Sequence, residues 1–242
     1  MKYSILLTAA VLLSGCANNA AMQQWFGVGS QVARDMGYGN QAELVNGVKE
    51  VLEITSTRAA GQLSADGGYA RAGFPIDLPS SLQPVASTLR QFGLGAYVDK
   101  LETAMQDGAE KAAAQATPVF HQAIAEMSVT DALGIIQGGN DAATQYFRSQ
   151  TESTLRQRYQ PVIQDSLKQT GFYDQYKTML SVYDNLPLTE KPNLDLESLI
   201  LEQSLNGLFA RMAEEEALIR QDPIGRGSAL LGTILGASGS TQ

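Results

Sequence analysis

Apolar residues recur at every third or fourth position along most of the chain, and that spacing argues against a sheet. Leu44, Val48, Leu52, Thr55, Ala59 and Leu63 fall on one side of a 3.6-residue helix. A half-buried strand would need apolar residues at every second position instead. The helical pattern resumes at Leu82, Val85, Leu89 and Phe92, then at Val98, Leu101, Met105 and Ala112, and again at Phe147, Leu155, Tyr159, Ile163 and Leu167. No stretch alternates β-branched with polar residues convincingly, and no internal repeat is present. The spacing predicts an all-α fold: a single multi-helix domain of about eight to eleven helices.

Punctuation divides the pattern. Asn40 with Glu43 is spaced like a capping box, and the first long helix follows it. "SADGGYARAGFPIDLPSS" breaks that helix with glycine and proline, and "FGLG" at 92–95 stops the next one. Thr117-Pro118 reads as an N-cap followed by proline at the first helical position. Ser128 with Asp131 repeats the capping logic, and "GGN" ends the short helix that they open. A long run begins near Asp141, and Pro161 is expected to kink or divide it near Gln160. After Gly171 comes an aromatic helix, then the loop "DNLPLTEKPN". Asp195 opens a helix to about Gln221, Asp222-Pro223 starts a last one ending near Gly236, and the tail at 237–242 reads as disordered. Gly47, Gly61, Gly108 and Gly207 fall inside helices, where close helix–helix approach is the simplest reason to keep them.

The start of the chain has a different character. Met1-Lys2, an apolar run from Ile5 to Leu13 and the small pair Ser14-Gly15 make a secretory signal peptide over 1–15, too short to span a bilayer. The chain's only cysteine, Cys16, comes next. Leu13-Ser14-Gly15-Cys16 resembles the lipobox of bacterial lipoproteins, in which the cysteine is acylated, with palmitate-type chains, and becomes the mature N-terminus. That resemblance implies that Cys16 is the lipidation site. Residues 16–40 then form a lipidated tether and residues 41–236 the helical domain. Ala17, which is not aspartate, implies sorting to the outer membrane, facing the periplasm. With no other cysteine, no internal disulfide forms, so the core alone must hold the domain.

Seventeen basic residues against 25 acidic ones give a net charge of −8. Nucleic-acid binding depends on lysines and arginines that neutralise phosphates, and no basic stripe is present. The predicted membrane contact is therefore the acyl anchor, and the expected macromolecular partner is another envelope protein.

"GLGAYVDKLETAMQDGAEKA", "DAATQYF" and "LNGLFARMAEEEALIRQDPIGR" resemble, in this order, motifs of an uncharacterised bacterial family of periplasmic lipoproteins, classed as a domain of unknown function. The resemblance covers roughly residues 41–236. It implies an all-helical domain in the envelope and carries no activity, substrate or catalytic residue.

The residues themselves offer few sites. One histidine, His121, cannot supply a histidine-rich metal centre, and no serine-nucleophile elbow or phosphate loop is present. No catalytic residue, metal site or cofactor is assigned, and the chain reads as a non-enzyme. The densest polar segment is "AEEEALIRQDPIGR". Arg211 lies four residues before Glu215, and Glu216 four before Arg220, which predicts two exposed helical ion pairs worth about 0.3–0.5 kcal/mol each. Asp222 reads as the cap ahead of Pro223, and Arg226 is within reach of it. These six residues form the candidate polar site, with a structural charge network as the simpler reading. Tyr146, Tyr159, Tyr173 and Tyr176 are the candidate lining of a ligand pocket, with ordinary core packing as the alternative. Three functions follow in decreasing order of fit: an envelope interaction or support protein, a binder of a small or lipidic ligand between helices, and a carboxylate-dependent hydrolase.

Overall fold

The computed structural model describes residues 41–184 and 195–222. Cys16, the segment up to Asn40 with its cap, the loop centred on 185–194, Arg226 and the expected last helix lie outside them. The described chain is helical, without strands, as the apolar spacing predicts. Its helices are α1 (Gln41–Leu63), a single turn α2 (Gly68–Arg71), α3 (Gln83–Gln91) after a 3₁₀ turn at Ser80–Leu82, α4 (Gly95–Ala113), α5 (Ala116–Glu126), α6 (Val129–Gln137), α7 (Ala142–Gln169), α8 (Phe172–Asp184) and α9 (Leu196–Gln221).

Helix α7 is the spine. It packs along α4 and α9 and is crossed by α5, while α1 lies on α9, α5 and α6. Phe147, Leu155, Tyr159, Ile163 and Leu167, the apolar stripe of α7, are all buried. Phe120 of α5 meets Phe147 at a ring-centroid distance of 4.8 Å and Phe209 of α9 at 6.5 Å, joining three helices through aromatic edges and faces. Such pairs add about 0.5–1.5 kcal/mol beyond burial alone.

Three expectations are corrected. Of the kink or division expected at Pro161, the division does not occur: α7 runs unbroken from Ala142 to Gln169. Pro161 and Gln157 are both exposed, so the carbonyl that loses its helical partner four residues back lies on the solvent side. Helix α5 starts at Ala116, one residue ahead of Thr117, which places Pro118 within the first turn, where a missing N–H costs nothing. Phe92 leaves the apolar stripe of α3 and is 78% exposed. The helix stops at Gln91, and Gly93 takes a left-handed conformation (φ +78°) that turns the chain before Phe92 can face the core.

The Ser128–Asp131 capping box forms as the sequence predicts. Asp195 likewise caps α9 through the N–H and hydroxyl of Ser198, which hold its carboxyl below the usual range. The Gly- and Pro-rich segment after α2 has no helix or sheet to satisfy its backbone, and side chains do so instead. Gln106 accepts from the N–H of Ile76 at 3.0 Å. The Gln203 amide accepts from the N–H of Asp77 and donates to its carbonyl, at 2.8 and 3.0 Å. Gly207 shows the close approach expected of it: an added Cβ would stand 3.0 Å from the ring of Tyr69. Gly61, by contrast, faces open space.

Two fully buried tyrosines give a stability test. The Tyr69 hydroxyl donates to the carbonyl of Ser204 at 3.0 Å, whereas the Tyr159 hydroxyl has no partner among the described residues. Tyr69→Phe is expected to lower unfolding free energy by about 1 kcal/mol, while Tyr159→Phe leaves it unchanged or raises it. Urea denaturation of the two variants checks the contrast.

Candidate functional site

The polar segment of α9 continues the helix's own buried stripe. Leu205, Leu208, Phe209, Met212 and Ile219 are buried, and Glu215 and Glu216 fall between Met212 and Ile219 on the same face. Their side chains are 5% and 1% exposed. The pairs predicted from i,i+4 spacing both form, Arg211 with Glu215 and Arg220 with Glu216, but they are buried ties and not exposed ones.

Glu216 completes the start of another helix. Its Oε1 accepts from the N–H of Ala143 at 2.9 Å, and its Oε2 from the N–H and hydroxyl of Thr144 at 2.8 and 2.9 Å. Those amides are among the four at the N-terminus of α7 with no partner inside the helix. Asp141, the residue in the N-cap position, makes no capping bond. Its side chain instead accepts from Gln145. A carboxylate from α9 therefore does the capping across the core, where the positive end of the helix dipole favours it. Arg220 donates to Oε1 of Glu216 at 3.0 and 2.8 Å and, through one guanidinium nitrogen, to the carbonyl of Ile135 at 3.0 Å. That carbonyl belongs to the last turn of α6. One acid–base pair thus meets the end of α6 with a cation and the start of α7 with an anion.

Arg211 makes the corresponding tie to α1, donating to Gln62 at 2.6 Å while it holds Glu215 and Glu214. Asp222 closes α9 through its N–H to Leu218. The structure therefore brings Arg211, Glu215, Glu216 and Arg220 onto one helix face, in two ties serving different neighbours.

The four tyrosines do not surround one pocket. Tyr159 lies in the core. Tyr146 borders a cleft of about 250 Å³ between α5, α6 and α7. Tyr173 is partly exposed and donates to Glu197 at 2.5 Å; partial burial, then that bond, push its hydroxyl up to about 12. Tyr176 stacks on Phe172. His121 is exposed on α5, with Nε2 3.9 Å from Glu53. Among the described residues no three His, Cys, Asp or Glu side chains converge to hold a metal ion, and no helix is long and apolar enough to cross a membrane.

One surface was not foreseen. Phe92, Leu94 and Tyr97 are 78%, 42% and 45% exposed, all at the corner between α3 and α4. Arg90 sits beside them, bound to Asp99 at 3.2 Å and Glu102 at 2.9 Å. The available signal was three large apolar residues within six positions of a glycine-punctuated turn, where a helix face cannot bury them together.

The fold defines a helical domain whose most polar buried side chains are joints between helices. The profile of the family DUF4197, proteins of unknown function, matches residues 39–236, and the chain belongs to that family. No curated protein and no solved structure matches the chain.

The Glu216 joint predicts a large stability effect. Glu216→Ala removes the α7 cap and leaves Arg220 buried without its partner, and is expected to cost about 3–5 kcal/mol. Guanidinium denaturation measures it, and a loss below about 1 kcal/mol would mean that the buried tie is not formed in solution. Glu110 of α4 gives a pH test. It is 6% exposed, one of its oxygens lacks a partner, and burial, together with the nearby charges of Asp107 and Asp66, raises its pKa. The folded state then binds more protons than the unfolded one just above the ordinary carboxylate range, so stability falls as pH rises through that window. Glu110→Gln should flatten this decline and raise the melting temperature at pH 7, which thermal scans between pH 4 and 7 will read.

Proposed function

We propose that this protein is a lipid-anchored interaction module of the bacterial cell envelope, tethered by Cys16 at the outer membrane and facing the periplasm. In this reading it works by docking a partner protein and not by catalysis. The anchor rests on the register of the apolar run, Ser14-Gly15 and Cys16. The observation that carries the docking reading is the α3–α4 corner. Two aromatic residues and a leucine stand out together on a short turn, and aromatic side chains at such points supply most of the energy of protein interfaces. Exposed Asp99 beside them, with Arg90 and Glu102, provides the polar rim that such a centre needs. The buried acids of α9 support binding over acid–base chemistry, because each is committed to an arginine, and Glu216 also to the backbone of a neighbouring helix.

Two measurements test the two halves. Cys16→Ala should abolish labelling by radioactive palmitate and release the chain from the membrane fraction; continued labelling would end the lipoprotein reading. A photo-crosslinking amino acid placed at Phe92 or Tyr97 in native cells should give a discrete adduct that the same group at exposed Gln157 does not. Equal adducts from all three positions, or none from the corner, would count against docking there.

A further inference from the structure

A second surface lies on the side of the molecule where α1, α2 and α9 meet. It is a groove of about 780 Å³, within the range of small-molecule sites. Arg58 from α1, Arg71 from α2 and Arg211 from α9 all line it, and among the described residues no aspartate or glutamate does. In a chain of net charge −8 this concentration of guanidinium groups is unusual.

The polar groups along it are arranged as donors. Gln62 accepts from Nε of Arg211 through its Oε1, which fixes the amide and leaves its NH₂ to donate. Thr57 adds a hydroxyl. Glu214 and Glu215 offset Arg211, which is thereby held in place. The exposed guanidinium of Arg71 makes no hydrogen bond or ion pair with any described residue, so its charge is available to a ligand. The floor is open because Gly61 has no side chain, and an added Cβ there would meet nothing within 4 Å. Guanidinium forks match the paired oxygens of carboxylate and phosphate groups.

We infer that this groove binds a small molecule through an oxyanion, with Arg71 as the principal contact and Gln62 and Thr57 as neutral donors. The site is independent of the α3–α4 corner and does not depend on the docking reading.

The test is isothermal titration of the full-length mature protein at constant ionic strength. The probes are inorganic pyrophosphate, citrate, and short-chain phosphatidylglycerol below its micellar concentration. Short-chain phosphatidylcholine and sodium chloride serve as controls. At least one oxyanion probe should bind saturably, and Arg71→Ala should weaken it tenfold or more while Arg158→Ala, on exposed α7 surface, leaves it unchanged. Preference for pyrophosphate or citrate would point to a soluble ligand, and preference for phosphatidylglycerol to a lipid headgroup. A second variant separates binding from folding: Gly61→Met carries a side chain into the groove from a position where an added Cβ meets nothing within 4 Å, so it should block binding while thermal stability is kept. The inference is overturned if no oxyanion probe binds saturably, or if binding survives Arg71→Ala and Gly61→Met undiminished.

Discussion

The carboxylate of Glu216, set against the first turn of α7, is the contact on which the architecture turns. Helix α7 is the spine that α4, α5 and α9 pack against, and its N-terminus lies at the end of a tight connection from α6. Buried amides without acceptors there would cost about 1–3 kcal/mol each. Glu216 satisfies two of them and a hydroxyl, and Arg220 balances the charge while holding the last turn of α6. The bond closes a distance of more than seventy positions in sequence, so α9 cannot be displaced without opening the start of α7.

The same device recurs elsewhere. Gln106 of α4 receives the N–H of Ile76, and Gln203 of α9 pairs both backbone groups of Asp77, in the extended segment that follows α2. In each case a long polar side chain on a rigid helix satisfies backbone groups that local structure leaves open. A helical domain without disulfides gains specificity this way: apolar burial supplies most of the stability but tolerates sliding, whereas these bonds form in one register only.

Two further features lie at the surface. The corner of Phe92, Leu94 and Tyr97 presents apolar area, and the groove between α1, α2 and α9 presents cationic donors. Both owe their form to places where a regular helix is interrupted. Gly93 ends α3 early, and the turn at 64–67 sets α2 against α1 so that Arg71 faces the same groove as Arg58.

The sequence by itself determined the helical class, the capping box at Ser128, the cap at Asp195, the apolar stripes of α1, α4 and α7 and the partners of both α9 ion pairs. All of these depend on residues within a few positions of one another, where helical geometry fixes the distances. For Glu215 and Glu216, i,i+4 spacing alone suggested an exposed pair of salt bridges. Only the tertiary structure decided that they are buried, that Glu216 rather than Asp141 caps α7, that Phe92 points outward and that three arginines from separate helices share a groove. These depend on which helices become neighbours, and that choice is made by the summed packing of the whole core rather than by any segment of it.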